Sequence, residues 1–334
     1  MDTYNINATF VPSISGGTSA TATVGKSTEK VFIEANTTEV SYRELKDEHI
    51  IPVFSATNEP LISHQELVDC VGTVTKNWFQ GEVVLEPSIR VSHPIKGRIP
   101  EAKYKKASEL EPWEQTLYYE RMMFCIEVPS VAEMVGGNLL SLTIGAVKSY
   151  SEDNLYGKRP SGEQQFHLFV GFRNKVCCNM CVSTDGVKLD LKVKDLAQLE
   201  QSMFTMLSQY NVGAHVEAMR KLTTIEINQS EFAQFIGKSR LYKYLPDNLK
   251  FGLTPLCFGD QQMGAVAKDF YNDENFSATV STGTINLWRL YNLLTGVNKS
   301  TYIDQFLERA INAQELVIEI AQHKSGEKSS WYLE

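Results

Sequence analysis

Between Val176 and Cys181 the chain places three of its six cysteines within five positions, a density that could hold a metal ion or carry out thiol–disulfide exchange. Cys178 and Cys181 form a Cys-x-x-Cys. The flanking text argues against both chemistries. "QFHLFVGF" before it and "VKLDLKV" after it alternate in the two-residue period of strands, so the segment reads as part of a hairpin turned at Arg173-Asn174. On extended backbone, cysteines three apart face opposite ways, and Cys177 and Cys181, on one face, stand about 13 Å apart at ~3.3 Å per residue. Neither pair can chelate one ion. Zinc would need a second pair or nearby histidines, and Cys70, Cys125 and Cys257 are distant singles. A redox motif belongs where a helix N-terminus lowers the thiol pKa, not between strands. Packed thiols are expected, with no metal, no cofactor and no disulfide framework.

Other catalytic patterns are missing. The histidines (His49, His64, His93, His167, His215, His323) are scattered without a His-Glu-x-x-His spacing. Gly136-Gly137 and "GKSR" (237–240) lack the partners of a phosphate loop, and no Gly-x-Ser-x-Gly elbow occurs. Residues 228–246 superficially match a helix-turn-helix. The apolar position after the turn falls on Lys243 or Tyr242, however, and Pro246 cuts the second helix short, so an ordinary amphipathic helix is expected. No catalytic residues are assigned.

The strongest signal outside the core is electrostatic. "RVSHPIKGRIPEAKYKK" (90–106) carries Arg90, Lys96, Arg98, Lys103, Lys105 and Lys106 against Glu101 alone. Residues 90–194 hold 15 Lys and Arg against 12 Asp and Glu, although the whole chain is −8, a balance that discourages non-specific attraction to nucleic acid or anionic lipid. Tyr104, Trp113, Tyr118, Tyr119, Tyr150 and Tyr156 lie nearby in sequence. Cations with exposed rings suit single-stranded nucleic acid, through phosphate contacts and base stacking. The bland alternative is a solvated loop.

The elements that must position these residues follow from periodicity. The 334 residues, 43% apolar, can fill a sizeable core. No apolar run approaches the roughly 20 residues of a membrane span, and no charged-then-apolar leader opens the sequence, so cytoplasmic residence without a membrane partner is expected. Residues 1–30, rich in Ser, Thr, Gly and Ala, read as a disordered arm. Residues 31–193 read as β-rich with one helix. A strand candidate at 50–54 precedes that helix, which is capped by Ser63 and Glu66 and striped by Leu67, Val71, Val74 and Trp78, with Cys70 beside the stripe. The runs 117–128 and 139–147 read as antiparallel neighbours, the second entered through a Gly136-Gly137-Asn138 turn. Two further turns, at 173–174 and at Asp185-Gly186, make a three-stranded meander, with Val187, Leu189, Leu191 and Val193 on one face. From 194 to 334 the period becomes helical and this half is expected to pack on the sheet. Caps are expected at Asp195, Asn228 and Asn312, a stop at Gly296, and an irregular stretch over 247–283. The fold class is therefore α+β: an antiparallel sheet region followed by a mainly helical C-terminal half.

"RVSHPIKGRIP", "YYERMMF", "NLYGK", "FRNKVCCNMCVSTDG" and "INLWRLYNLLTGVNKSTYIDQFLERAINA" together resemble an uncharacterised Bacteroidetes family, domain of unknown function 3871, from Phe32 to Leu333. The "VCCNMC" and "LWRLYNLLTG" segments are also similar to the phage- and plasmid-associated domain of unknown function 932, with Cys178-Asn179 as the matching pair. The resemblance implies a mobile-element setting and carries over no catalytic residue. The resulting expectation is a non-enzymatic nucleic-acid-binding accessory acting on single strands. The rival is a protein-interaction or regulatory module, with a protein partner or a second copy of the chain.

Overall fold

The computed structural model describes residues 31–48, 61–153 and 162–334. The expected arm at 1–30, the strand at 50–54, the "NLYGK" segment and Tyr156 lie outside the described residues. In chain order come β1 (Thr38–Val40), α1 (Tyr42–Glu48), α2 (His64–Trp78), β2 (Ser88–Val91), β3 (Pro94–Arg98), β4 (Gln115–Tyr119), β5 (Arg121–Val135), β6 (Asn138–Ser149), β7 (Gln164–Asn174) and β8 (Met180–Val193). The second half holds α3 (Leu196–Gln209), α4 (Val212–Leu222), β9 (Glu226–Asn228), α5 (Gln229–Tyr242), α6 (Asp247–Lys250), α7 (Asp260–Asn272), β10 (Thr284–Asn286), α8 (Leu287–Asn298) and α9 (Phe306–Ser325). This is the expected α+β class, with most strands preceding most helices.

The main sheet has the order β1-β2-β5-β6-β7-β8, and each neighbouring pair is antiparallel. Gly136 and Gly137, at φ 55° and 81°, turn β5 into β6 at the expected place, because such a tight hairpin needs two residues in the left-handed region. Within β5, Pro129 has no N–H to offer a ladder, and the register slips there from Val128–Leu142 to Ala132–Ser141. Gly145 lets three strands close up. A Cβ there would lie 2.0 Å from the Phe124 carbonyl oxygen and 2.6 Å from the Phe169 ring.

Both faces of the sheet are covered. Met122, Phe124, Ile126 and Val128 of β5 and Phe166, Leu168, Val170 and Phe172 of β7 point into a large core that α2, α3, α4, α7 and α8 complete. Met123, Cys125, Val147, Phe169, Met180 and Val182 point the other way, onto Phe32, Ile33, Ile303, Phe306, Leu307 and Ala310. Each such large side chain contributes about 1.5–3 kcal/mol when fully buried. α9 serves both layers: Phe306, Leu307 and Ala310 close the second, and Ala313, Leu316, Val317 and Ile320 enter the first.

Several expectations are corrected by long-range packing. The run 117–128 breaks at Glu120: β4 leaves the main sheet to pair with β3, and β5 starts at Arg121. The three-stranded meander is a two-stranded hairpin, because Asp185-Gly186 is a bulge inside β8 rather than a turn. Bulges also divide the apolar residues of β8 between the layers. Val187 and Leu189 pack on the second, Leu191 and Val193 in the first. Residues 175–179 are loop, not strand. In the second half, α8 runs past Gly296, and Asn312 lies inside α9, where its side chain bonds Pro255 O at 2.6 Å and Cys257 N at 2.9 Å. α7 occupies much of the stretch read as irregular. α1 is a further helix in the first half.

Three of the expected helix caps are present. Ser63 Oγ accepts from Glu66 N while Glu66 returns to Ser63 N, Asn228 and Glu231 make the same reciprocal pair, and Asp195 accepts from Gln198 N.

Candidate nucleic-acid interface

The basic run becomes an arm. β3 and β4 pair from Pro94–Tyr119 to Arg98–Gln115, and the residues between them form three single turns of 3₁₀-helix, two of them opened by Pro100 and Pro112. The root is anchored by Tyr118, whose ring meets Tyr150 edge-on at 5.4 Å beside buried Leu61. Inside the arm, Ala102 is fully buried and the Arg98 guanidinium donates to the Lys105 carbonyl. Lys105 pairs with Glu114; that hydrogen bond, with a second from Glu111 N at 2.9 Å, holds the Glu114 carboxyl below the usual range.

The six cations therefore separate into two groups. Arg90 is a peg between sheet strands, bonding Thr37 Oγ1 at 2.8 Å and Thr37 O at 3.0 Å, with Glu39 at 3.9 Å. Arg98 and Lys105 are spent on the arm's own structure. Lys96, Lys103 and Lys106 are exposed and form no ion pair among the described residues. The same arm also carries Glu101, Glu109, Glu111 and Glu114, so its charge is closer to neutral than residues 90–106 alone indicate.

The rings separate likewise. Tyr104 is 89% exposed with Lys103 Nζ 4.9 Å above it, and Trp113 is 71% exposed. Tyr119 and Tyr150 are buried and Tyr118 is half-buried, so they offer no platform for a base. Two outward rings and three lysines without an ion pair among the described residues lie on this one small arm. Their chemistry is that of stacking and phosphate neutralisation.

The cysteine segment packs against α8. Asn174 Nδ2 donates to Asn292 Oδ1 at 3.1 Å, Asn179 Nδ2 donates to Asn292 O at 2.9 Å, and Lys299 reaches the Cys177 carbonyl, so loop 175–179 clasps α8 and its end. The facing survives although the strand does not. Cys177 and Cys181 lie in the first layer, whereas Cys178 turns away to receive an N–H from Arg173 at 3.1 Å. Cys178 is held at φ 61°, the conformation that reverses the chain here. Burial pushes the Cys125 thiol up to about 12, and the Cys70 and Cys257 thiols to about 11. All six cysteines are thiols, and among the described residues no group of three His, Cys, Asp or Glu could hold a metal.

A second surface was not anticipated. α5 is one helix straight through Gly237, with no helix-turn-helix bend, and its end turns at Pro246 into the four-residue α6. Residues 238–251 carry four cations against Asp247, and leave Leu241, Tyr244, Leu249 and Phe251 outside, Phe251 at 91% exposure. The sequence signal was available: Leu241 and Tyr244 fall off the buried stripe of Phe232, Phe235 and Ser239, and Phe251 stands next to Gly252, which takes φ 82°.

A mixed α+β protein, with helices on both faces of an antiparallel sheet and two exposed clusters of cations and apolar groups, is the class that fold and surface define. The chain belongs to the family described as "Domain of unknown function, B. Theta Gene description (DUF3871)", whose model matches residues 18–333. Neither the curated proteins nor the solved structures give a match. Among the described residues no helix is long and apolar enough to cross a membrane.

Proposed function

We propose that this protein binds single-stranded nucleic acid through the β3–β4 arm, as a non-enzymatic accessory of a mobile genetic element. The observation that carries the binding role is outward Tyr104, with Lys103 Nζ 4.9 Å from its ring, on the same arm as outward Trp113 and as exposed Lys96 and Lys106, which form no ion pair among the described residues. Each ring is flat, sequence-indifferent and available to a base, and each lysine can displace a counterion from a phosphate. A duplex would keep its bases inside and leave the rings unused. The mobile-element setting rests on the resemblance to the phage- and plasmid-associated family and on nothing in the arm itself.

The test is fluorescence anisotropy with a labelled oligothymidine over a salt series. Three phosphate contacts on single-stranded DNA correspond to a log–log salt slope of about −2. Replacing Lys96, Lys103 and Lys106 together by Ala should flatten that slope, and Trp113→Ala should weaken binding by about 1–3 kcal/mol at every salt concentration. No binding at low salt, or binding indifferent to both changes, would remove the proposal.

A further inference from the structure

The corner where α5 meets α6 belongs neither to the arm nor to the core. Its chain path is tight: Tyr244 N bonds Leu241 O at 2.9 Å, Leu249 N bonds Pro246 O at 2.9 Å, and Lys250 Nζ stands 5.9 Å from the Tyr242 ring, folding α6 back onto the end of α5. The surface so formed exposes Leu241 at 50%, Tyr244 at 69%, Leu249 at 56% and Phe251 at 91%. Leaving four large apolar side chains in water within 11 residues is costly unless something covers them. Around them stand the cations. Lys238 lies over the Trp331 ring at 4.6 Å and Lys243 beside Tyr244 at 5.8 Å, neither with a carboxylate partner among the described residues. Arg240 has Asp260 at 3.9 Å, and Lys250 has Asp247 at 3.3 Å.

We propose that this corner is the docking surface for an acidic, amphipathic peptide segment of a partner protein, held by apolar contacts to Leu241, Leu249 and Phe251 and by charge contacts to Lys238 and Lys243. The choice of occupant follows from the mixture. Nucleic acid would use the rings and cations but has nothing to set against two half-exposed leucines, whereas a helix with Leu or Phe on one face and Asp or Glu beside it satisfies both at once. The sign of the partner is fixed by the surplus of cations in residues 238–251, four against Asp247, on a chain whose net charge is −8. With nucleic acid on the arm and an acidic partner here, the protein would join the two, but the corner does not depend on the arm.

The probe is a fluorescein-labelled 15-residue peptide with Leu and Phe at helical spacing and Asp or Glu between them, alongside a control in which every apolar residue is Ser. The expected result is saturable binding of the first peptide, at least tenfold weaker binding of the control, and at least tenfold losses with Phe251→Ser and, separately, with Lys243→Glu. Both positions are exposed, so the variants should retain the wild-type circular dichroism and melting temperature. Replacing Lys96, Lys103 and Lys106 by Ala should leave peptide binding unchanged, which separates this proposal from the nucleic-acid reading. Equal binding of the two peptides overturns it, as does binding indifferent to the corner variants. It is equally overturned if Phe251→Ser abolishes instead the binding of oligothymidine, of phosphatidylglycerol vesicles, or of a second copy seen by light scattering.

Discussion

His215 is a side chain whose protonation the fold opposes. It is buried against the Phe172 ring, its Nδ1 meets the Tyr210 hydroxyl at 2.7 Å, and desolvation lowers its pKa to about 4, only partly countered by Asp185. The unfolded chain therefore takes up this proton near pH 6.5 and the folded chain near 4. Stability from this site is complete above 6.5 and is lost as pH falls through that interval, by about 3 kcal/mol in full. Urea titrations at pH 7 and pH 5 should show the midpoint falling, and His215→Gln should reduce that fall. The thiols make a second residue-level case. At pH 8 a thiol reagent should label half-buried Cys178 in the native protein, while Cys125 and Cys181, buried and raised by desolvation, should react only on unfolding; mass spectrometry of labelled peptides reads this directly.

The clasp between loop 175–179 and α8 makes the prediction at the scale of elements. Asn292 accepts from Asn174, offers its carbonyl to Asn179 and donates to Trp288 O at 2.9 Å, all out of contact with water. Asn292→Ala removes the shared side chain and leaves the Asn174 amide short of a buried acceptor. A loss of about 1–3 kcal/mol is expected, read as a lower melting temperature. Gly145→Ala should be worse, because the new Cβ has a backbone oxygen in its way rather than a flexible side chain. Elements were legible in the sequence where a local signal agreed with the packing around it, which the Asp185-Gly186 turn, the Gly296 stop and the Asn312 cap did not. Reciprocal caps at Ser63 and Asn228 need only four residues, and the two-glycine turn at 136–137 only two. What depends on a partner was not legible. The bulges of β8 exist because β7 sets the register, and α7 buries only Met263, Val266 and Phe270 besides Gln262, too thin a stripe to stand out in a stretch punctuated by Gly259 and Gly264. Of the six cations read as one site, Arg90 and Lys105 meet partners outside the basic run, Thr37 and Glu114, and Arg98 meets the Lys105 carbonyl within it, contacts that spacing along the chain does not show.

At the scale of the molecule, α9 makes the two layers interdependent. One helix closes the second core with its first turns and enters the first core with its later ones, so neither layer can lose it alone. Residues 31–334 accordingly form one compact unit. Urea unfolding followed by tryptophan fluorescence and by circular dichroism should give coincident single transitions, and a chain ending at Thr301 should fail to fold. The far margin of the sheet has a different consequence. β8 is its last strand, 14 residues long, yet it is kinked twice and studded with Lys188, Asp190 and Lys192. A flat, apolar rim of that length would invite a neighbour's backbone to zip onto it; this one offers broken registry and buried-charge penalties instead. Concentrated solutions should thus stay clear of fibrils, leaving any association with other molecules to side chains rather than to the ribbon itself.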